Sequence, residues 1–164
     1  MSIRLRPAEL ADAEAIRTIY NHEVKTSIMT FDLVPRTLAE QEDWIRARSG
    51  AYVAIVAENE EGEILAFGGL SQYRERPGYS TTCEDSVYVR GDAQGLGLGK
   101  MILTELVTKA TQHGFHAIMA KIVGSHQASI SLHSTLGFEI VGHEREVGRK
   151  FGQWLDVLLM ERLL

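Results

Sequence analysis

The chain has a single cysteine, Cys83. That excludes an internal disulfide and fits a reducing compartment. It has no apolar run near the ~18 residues that a membrane-spanning helix requires. Its first residues, Met1-Ser2-Ile3-Arg4-Leu5-Arg6, carry charge where a signal peptide needs an apolar stretch, so a cytoplasmic location is expected. It has no basic excess: the formal net charge is -5, the reverse of what a nucleic-acid binder normally shows. Its six histidines and its carboxylates have no H-E-x-x-H or comparable ligand spacing, so no metal is expected. There is no repeat or low-complexity tract.

What is present is an ordinary globular composition, 45% hydrophobic and 24% charged, over 164 residues. That length suits one domain, 1–164, with a core of its own.

The hydrophobic pattern gives eleven elements. Ile3 to Arg6 alternates as a half-buried strand. A helix from about Ala11 to Lys25 has Ile16, Ile19, Tyr20 and Val24 on its apolar stripe. The loop Ser27 to Pro35 carries Ile28, Met29, Phe31 and Leu33, more apolar surface than a solvated loop needs and suited to a pocket wall. Thr37-Leu38-Ala39-Glu40 fits a capping box and opens a helix to about Arg48, with Gly50 placed to end it. Tyr52 to Glu58 and Glu63 to Leu70 read as a hairpin, and Gly68-Gly69 marks a bulge or a close backbone approach.

After a loop, Ser71 to Ser80, comes a strand, Thr81 to Val89. The glycine-rich stretch Gly91 to Gly99 follows, then a helix from about Lys100 to His113 stopped by Gly114. An apolar strand, Ala117 to Val123, and a short helix, Ala128 to Leu136, precede two antiparallel strands. These are Phe138 to Val147 and Trp154 to Met160, joined by a basic turn containing Gly148 and Gly152. The order β-α-α-β-β-β-α-β-α-β-β belongs to the α/β (α+β) class, with a mostly antiparallel first half and a central β-α-β unit.

The chemistry concentrates in Val87-Tyr88-Val89-Arg90-Gly91-Asp92-Ala93-Gln94-Gly95-Leu96-Gly97-Leu98-Gly99-Lys100. A strand runs into a glycine-rich turn that opens a helix. Free amides and the helix dipole make that end attractive to anions, and glycines let the backbone approach a diphosphate. Spacing separates the candidate cradles. A P-loop places its first glycine where Gln94 stands and Ser/Thr where Met101 stands. A dinucleotide fingerprint begun at Gly95 puts Lys100 at its last glycine, and it should follow the first strand. What remains is Gln94-x-x-Gly97-x-Gly99.

That pattern, Q/R-x-x-G-x-G/A, resembles the acetyl-CoA pyrophosphate loop of the GNAT superfamily of N-acetyltransferases, and the element order matches that fold over nearly the whole chain. The resemblance implies a central mixed, mostly antiparallel twisted sheet flanked by helices. Glu84-Asp85-Ser86-Val87-Tyr88-Val89, Ala128-Ser129-Ile130-x-Leu132-His133-x-x-Leu136-Gly137-Phe138 and Gly148-Arg149-Lys150-Phe151-Gly152-x-Trp154-x-Asp156 are similar to the phosphinothricin and methionine sulfone/sulfoximine N-acetyltransferases. The chain departs from that group at His126, Ser131, Ser134 and Ser80, where relatives usually carry Asn, Arg, Glu and Arg.

The resemblance implies acetyl-CoA as donor and the α-amine of a small amino-acid-like substrate as acceptor. Glu84 is the expected general base, acting through water. A backbone amide near Val89 is expected at the oxyanion, the cofactor pairing along the strand edge. His133 is a candidate proton donor to the thiolate or a cofactor contact. Val87, Tyr88, Val89, Gln94, Gly95, Leu96, Gly97, Leu98, Gly99, Lys100, His126 and Ser129 are expected along the cofactor. Arg74 and Arg76 are candidates for a fork on the substrate carboxylate, with Phe31, Tyr73 and Tyr79 as pocket walls. Arg149 and Lys150 are candidates for substrate, subunit or solvent contact. Cys83, on the strand face opposite Glu84, is expected in the core.

A homodimer joined near Val147 to Trp154 is also expected. Two other functions share the fold: acetylation of a peptide N-terminus, and a non-catalytic acetyl-CoA sensor. The arginine-bearing loop argues against the first. Glu84 and the complete glycine cradle argue against the second.

Overall fold

The computed structural model describes residues 1–164. Seven strands form one sheet in the order β1-β2-β3-β4-β5-β7-β6. They are β1 (Arg4–Pro7), β2 (Ala54–Glu58), β3 (Ile64–Gln72), β4 (Thr82–Val89), β5 (Ala117–Val123), β6 (Glu139–Lys150) and β7 (Gln153–Leu163). Four helices flank it: α1 (Ala13–Thr26), α2 (Leu38–Arg46), α3 (Leu98–His113) and α4 (Gln127–Thr135). No helix is long and apolar enough to cross a membrane.

The sheet has a core on each face. On one, α3 lays Ile102, Leu103 and Leu106 against Ile55, Leu70 and Ile118. On the other, the α1 stripe of Ile16, Ile19, Tyr20 and Val24 meets Ile45, Val56 and Phe67. The capping box starts α2 as read: Thr37 accepts from the Glu40 amide at 3.2 Å, and Glu40 accepts from the Thr37 amide at 2.7 Å.

Three boundaries differ from the sequence reading. Helix α2 stops at Arg46, with Ala47 as its C-cap, so Gly50 does not end it. Helix α3 begins at Leu98, because Gly97 supplies the left-handed residue from which it starts. The last turn is only Phe151-Gly152, both at positive φ, and Gly148 lies inside β6. The register of Lys150 against Gln153 fixes this two-residue hairpin.

All neighbouring strands are antiparallel except β4 and β5, which pair in parallel only at Thr82–Glu84 against Ala117–Met119. Beyond Glu84 the two strands separate, while β5 continues against β7 to Val123. The sheet is therefore split at its middle, and the split positions the site.

Candidate active site

Alternation along β4 assigns each side chain to a face. Cys83 joins the α3 core and is fully buried. Burial, then the charge of Asp85, pushes its thiol up to about 12. Glu84, Ser86 and Tyr88 face the other way. Alternation also orients the backbone. The Arg90 amide donates to the Leu65 carbonyl on β3 at 2.8 Å. The amides of Val87 and Val89 therefore point away from β3, into the split.

A cavity of about 890 Å³ fills the split and crosses the sheet. One end is lined by Gln94, Gly95, Gly97, Leu98, Gly99 and Lys100. Gly95 and Gly97 have φ of +79° and +80°, a conformation costly for residues with Cβ. That bend turns the first amides of the sixteen-residue α3 toward the cavity, a backbone shape that fits a diphosphate. Val87, Val89, His126 and Ser129 line the middle. Tyr88 also lines it, but its ring stacks on Phe67 at 5.3 Å and meets Tyr20 edge-on at 5.2 Å. Leu96 is not on the wall; it is exposed at the crest of the loop.

The other end holds Met29, Phe31, Tyr73, Arg74 and Glu84. Burial, the largest influence, raises the Glu84 pKa, and Lys121 partly opposes it. Lys121 Nζ lies 3.0 Å from the buried Oε1 and forms an ion pair with it. A carboxylate with a raised pKa on a cavity wall suits general-base work.

Arg74 and Arg76 do not form a fork. The Arg74 guanidinium sits over Tyr73 at 4.7 Å and bonds the Tyr79 hydroxyl at 3.2 Å. Arg76 is exposed and off the cavity wall, preceding the short 3-10 turn Pro77–Tyr79. Tyr79 is not on the wall either; it backs Tyr73 and Arg74. Lys150 is buried and donates to the Thr30 carbonyl at 2.8 Å, pinning the Phe31 loop to β6. Arg149 stacks on Trp154 at 4.5 Å.

His133 lies on the cavity wall, as a cofactor contact requires, but its ring nitrogens are engaged elsewhere. Its Nε2 lies 3.0 Å from Asp85 Oδ1 and its Nδ1 2.8 Å from the Ser129 carbonyl. Both partners only accept, so the ring serves them best as an imidazolium. Burial lowers its pKa, but the Asp85 bond and charge and the Ser129 carbonyl outweigh it, and the net direction is up. With both N–H groups engaged, neither is free for a departing thiolate. Burial lowers the His126 pKa.

Sequence reasoning missed Lys121, Asp85 and Glu144. Asp85 had no signal beyond its place beside Glu84. Lys121 follows from alternation: the one exposed residue of β5 lies two places after Met119, the partner of Glu84. Glu144 and Val147 reach the cavity wall across the β6 bulge between Glu144 and Gly148, which no sequence pattern marks.

A split sheet with a phosphate cradle at one mouth and a desolvated carboxylate within defines an acyltransferase that takes its acyl group from coenzyme A. The chain belongs to the GNAT acetyltransferase family, whose domain matches residues 5–159, and it uses acetyl-CoA. It is 40% identical over 163 residues to an L-methionine sulfoximine/L-methionine sulfone acetyltransferase of Pseudomonas aeruginosa, covering 98% of this chain and 94% of the relative. A phosphinothricin acetyltransferase structure from Sinorhizobium meliloti in complex with acetyl-CoA superposes with a TM-score of 0.96 at 38% identity. The match covers 100% of this chain and 89% of that one. The structure of a ribosomal-protein-alanine N-acetyltransferase from Brucella melitensis gives the same TM-score, 0.96, at 34% identity, covering 98% and 99%.

Proposed function

We propose that this enzyme acetylates the α-amine of a small amino acid with a tetrahedral polar head group, of the methionine sulfone, methionine sulfoximine or phosphinothricin kind. The observation that carries this reading is the placement of Glu84 on the wall of the same cavity as the inward amides of Val87 and Val89. Glu84 takes the proton of the acceptor ammonium through water. The freed amine attacks the thioester carbonyl. The Val89 amide, with Val87 beside it, steadies the oxyanion. Arg74 faces the acceptor carboxylate, and Met29, Phe31 and Tyr73 enclose the side chain. The His133–Asp85 pair holds α4 against β4 rather than moving a proton.

The test is thiol release from acetyl-CoA with methionine sulfone, methionine sulfoximine, phosphinothricin, the common amino acids, a polyamine and an alanine-initiated peptide. Turnover of the first three supports the assignment. The Brucella structure favours one other acceptor, so turnover of the peptide alone would move the assignment to a protein N-terminus. Binding without turnover of any acceptor would leave a sensor.

Lys121 contributes a pH effect. Its charge opposes the rise in the Glu84 pKa. The base works above that pKa and fails as pH falls through it. Lys121→Met should therefore move the acid limb of kcat/KM to higher pH and leave the plateau nearly unchanged. An unmoved limb would remove Lys121 from the tuning of Glu84.

Exposed apolar side chains on β6, β7 and their turn, among them Val141, Val147, Phe151 and Trp154, are consistent with a homodimer joined there. Trp154→Glu should convert the dimer to monomer in sedimentation velocity. A wild-type monomer at micromolar concentration would reject this interface.

A further inference from the structure

A second, smaller cavity of about 230 Å³ lies against α1, α2 and the adjoining face of β3 and β4. Ser86 and Tyr88 belong to its wall and to the wall of the acetyl-transfer cavity. Its other prominent groups are Arg36, Arg48, Trp44 and Asp32.

The charges here do not balance. The Arg36 guanidinium lies 3.7 Å over the Tyr20 ring, donates to Gln41 Oε1 at 3.3 Å and approaches Asp32 only to 3.9 Å. Asp32 also accepts from the Tyr20 hydroxyl. Arg48 has no carboxylate partner. Its guanidinium stacks over Trp44 at 4.1 Å, one amino group donates to the Trp44 carbonyl at 3.0 Å, and its Nε is buried without an acceptor. Nearby, fully buried Gln41 has an Nε2 that also lacks one. Two guanidiniums and one carboxylate leave one positive charge over.

The fold keeps this arrangement in place. A Cβ at Gly69 would lie 2.9 Å from Trp44 Cζ2 and 3.2 Å from Arg48 Cδ. Only a residue without one lets the arginine–tryptophan stack settle onto the sheet. Burial and the neighbouring charge of Arg36 press the Arg48 pKa down to about 10. A protonated guanidinium there costs free energy that a bound anion would recover.

We infer that this cavity is a second ligand site, separate from the acetyl-transfer cavity, which takes a small carboxylate between Arg48 and Arg36. A planar carboxylate matches the fork of a guanidinium. The Ser86 and Ser71 hydroxyls stand on the same wall. Ser86 is two residues from Glu84 on one face of β4, so the wall of this site continues into that of the base.

The chain carries its own control. Trp154 also has an arginine over its ring, Arg149 at 4.5 Å, but it is exposed and lines neither this cavity nor the larger one. The test is a titration of 15N-labelled protein with sodium acetate against sodium chloride at constant ionic strength, without acetyl-CoA. The Trp44 indole and Arg48 Nε–H resonances should shift saturably with acetate, and the Trp154 indole should not. Arg48→Met should weaken the saturation at Trp44 by about tenfold or more, the loss of one charge-assisted contact. Equal responses to acetate and chloride, or equal shifts at both tryptophans, would overturn the site. Saturation by sodium phosphate but not by acetate would overturn the carboxylate assignment. Should Arg48→Met fail to fold, Arg36→Gln replaces it, and the comparison of the two tryptophans in the wild-type chain decides by itself.

Discussion

Glu84→Gln should lower kcat for the best acceptor by about two to four orders of magnitude, the usual contribution of a positioned general base. The substitution keeps the shape of the side chain and removes the proton acceptor. Binding of acetyl-CoA should be unchanged, because the glycine cradle lies at the other end of the cavity. The wild-type rate should fall as pH drops through the raised pKa of Glu84, and the residual rate of the variant should lose that limb. Stopped-flow thiol release across pH, with isothermal titration of acetyl-CoA on both proteins, separates the two effects. A variant with near wild-type kcat would make Glu84 a structural partner of Lys121 and place the base elsewhere.

Asp85→Ala should destabilise the fold by on the order of 3 kcal/mol, because it strands the imidazolium of His133 in the core. For a domain of this size that is roughly 10 °C in melting temperature. The pH dependence follows from the raised folded pKa of His133. A group raised on folding contributes stability below its unfolded value, near 6.5, and loses it as pH rises through the folded value. The cost of Asp85→Ala should therefore be larger at pH 6 than at alkaline pH, as the ring loses its proton. Urea denaturation at both pH values measures it. An equal cost at each would show that the pair is a neutral hydrogen bond.

The fold was legible because its signals are local. The Thr37–Glu40 box, the stripe of α1 and the bend at Gly95 and Gly97 each lie within a few residues, and each element formed where it was expected. The glycine-lined end of the cavity was readable for the same reason, since one contiguous segment carries most of it. The other end draws on five separate segments. Lys121 meets Glu84 only through the pairing of β4 with β5, and Glu144 arrives over a bulge. Arg74 and Arg76 were both candidates in the sequence, with Arg74 preferred; aromatic stacking holds Arg74 on the cavity wall and the short turn at Pro77 carries Arg76 away. The double engagement of His133 was hidden because Asp85 is 48 residues distant.

The early parting of β4 and β5 has a further cost for the cell. A sheet open at its centre has an internal edge, with unpaired amides at Val87 and Val89 of the kind that recruits foreign strands. A donor that pairs there, as proposed above, would complete the sheet as well as supply the acetyl group. The stability of the fold should then rise with the acetyl-CoA level, gaining about 2.7 kcal/mol when the donor stands at a hundred times its dissociation constant. A fall in acetyl-CoA would both slow this enzyme and shorten its lifetime.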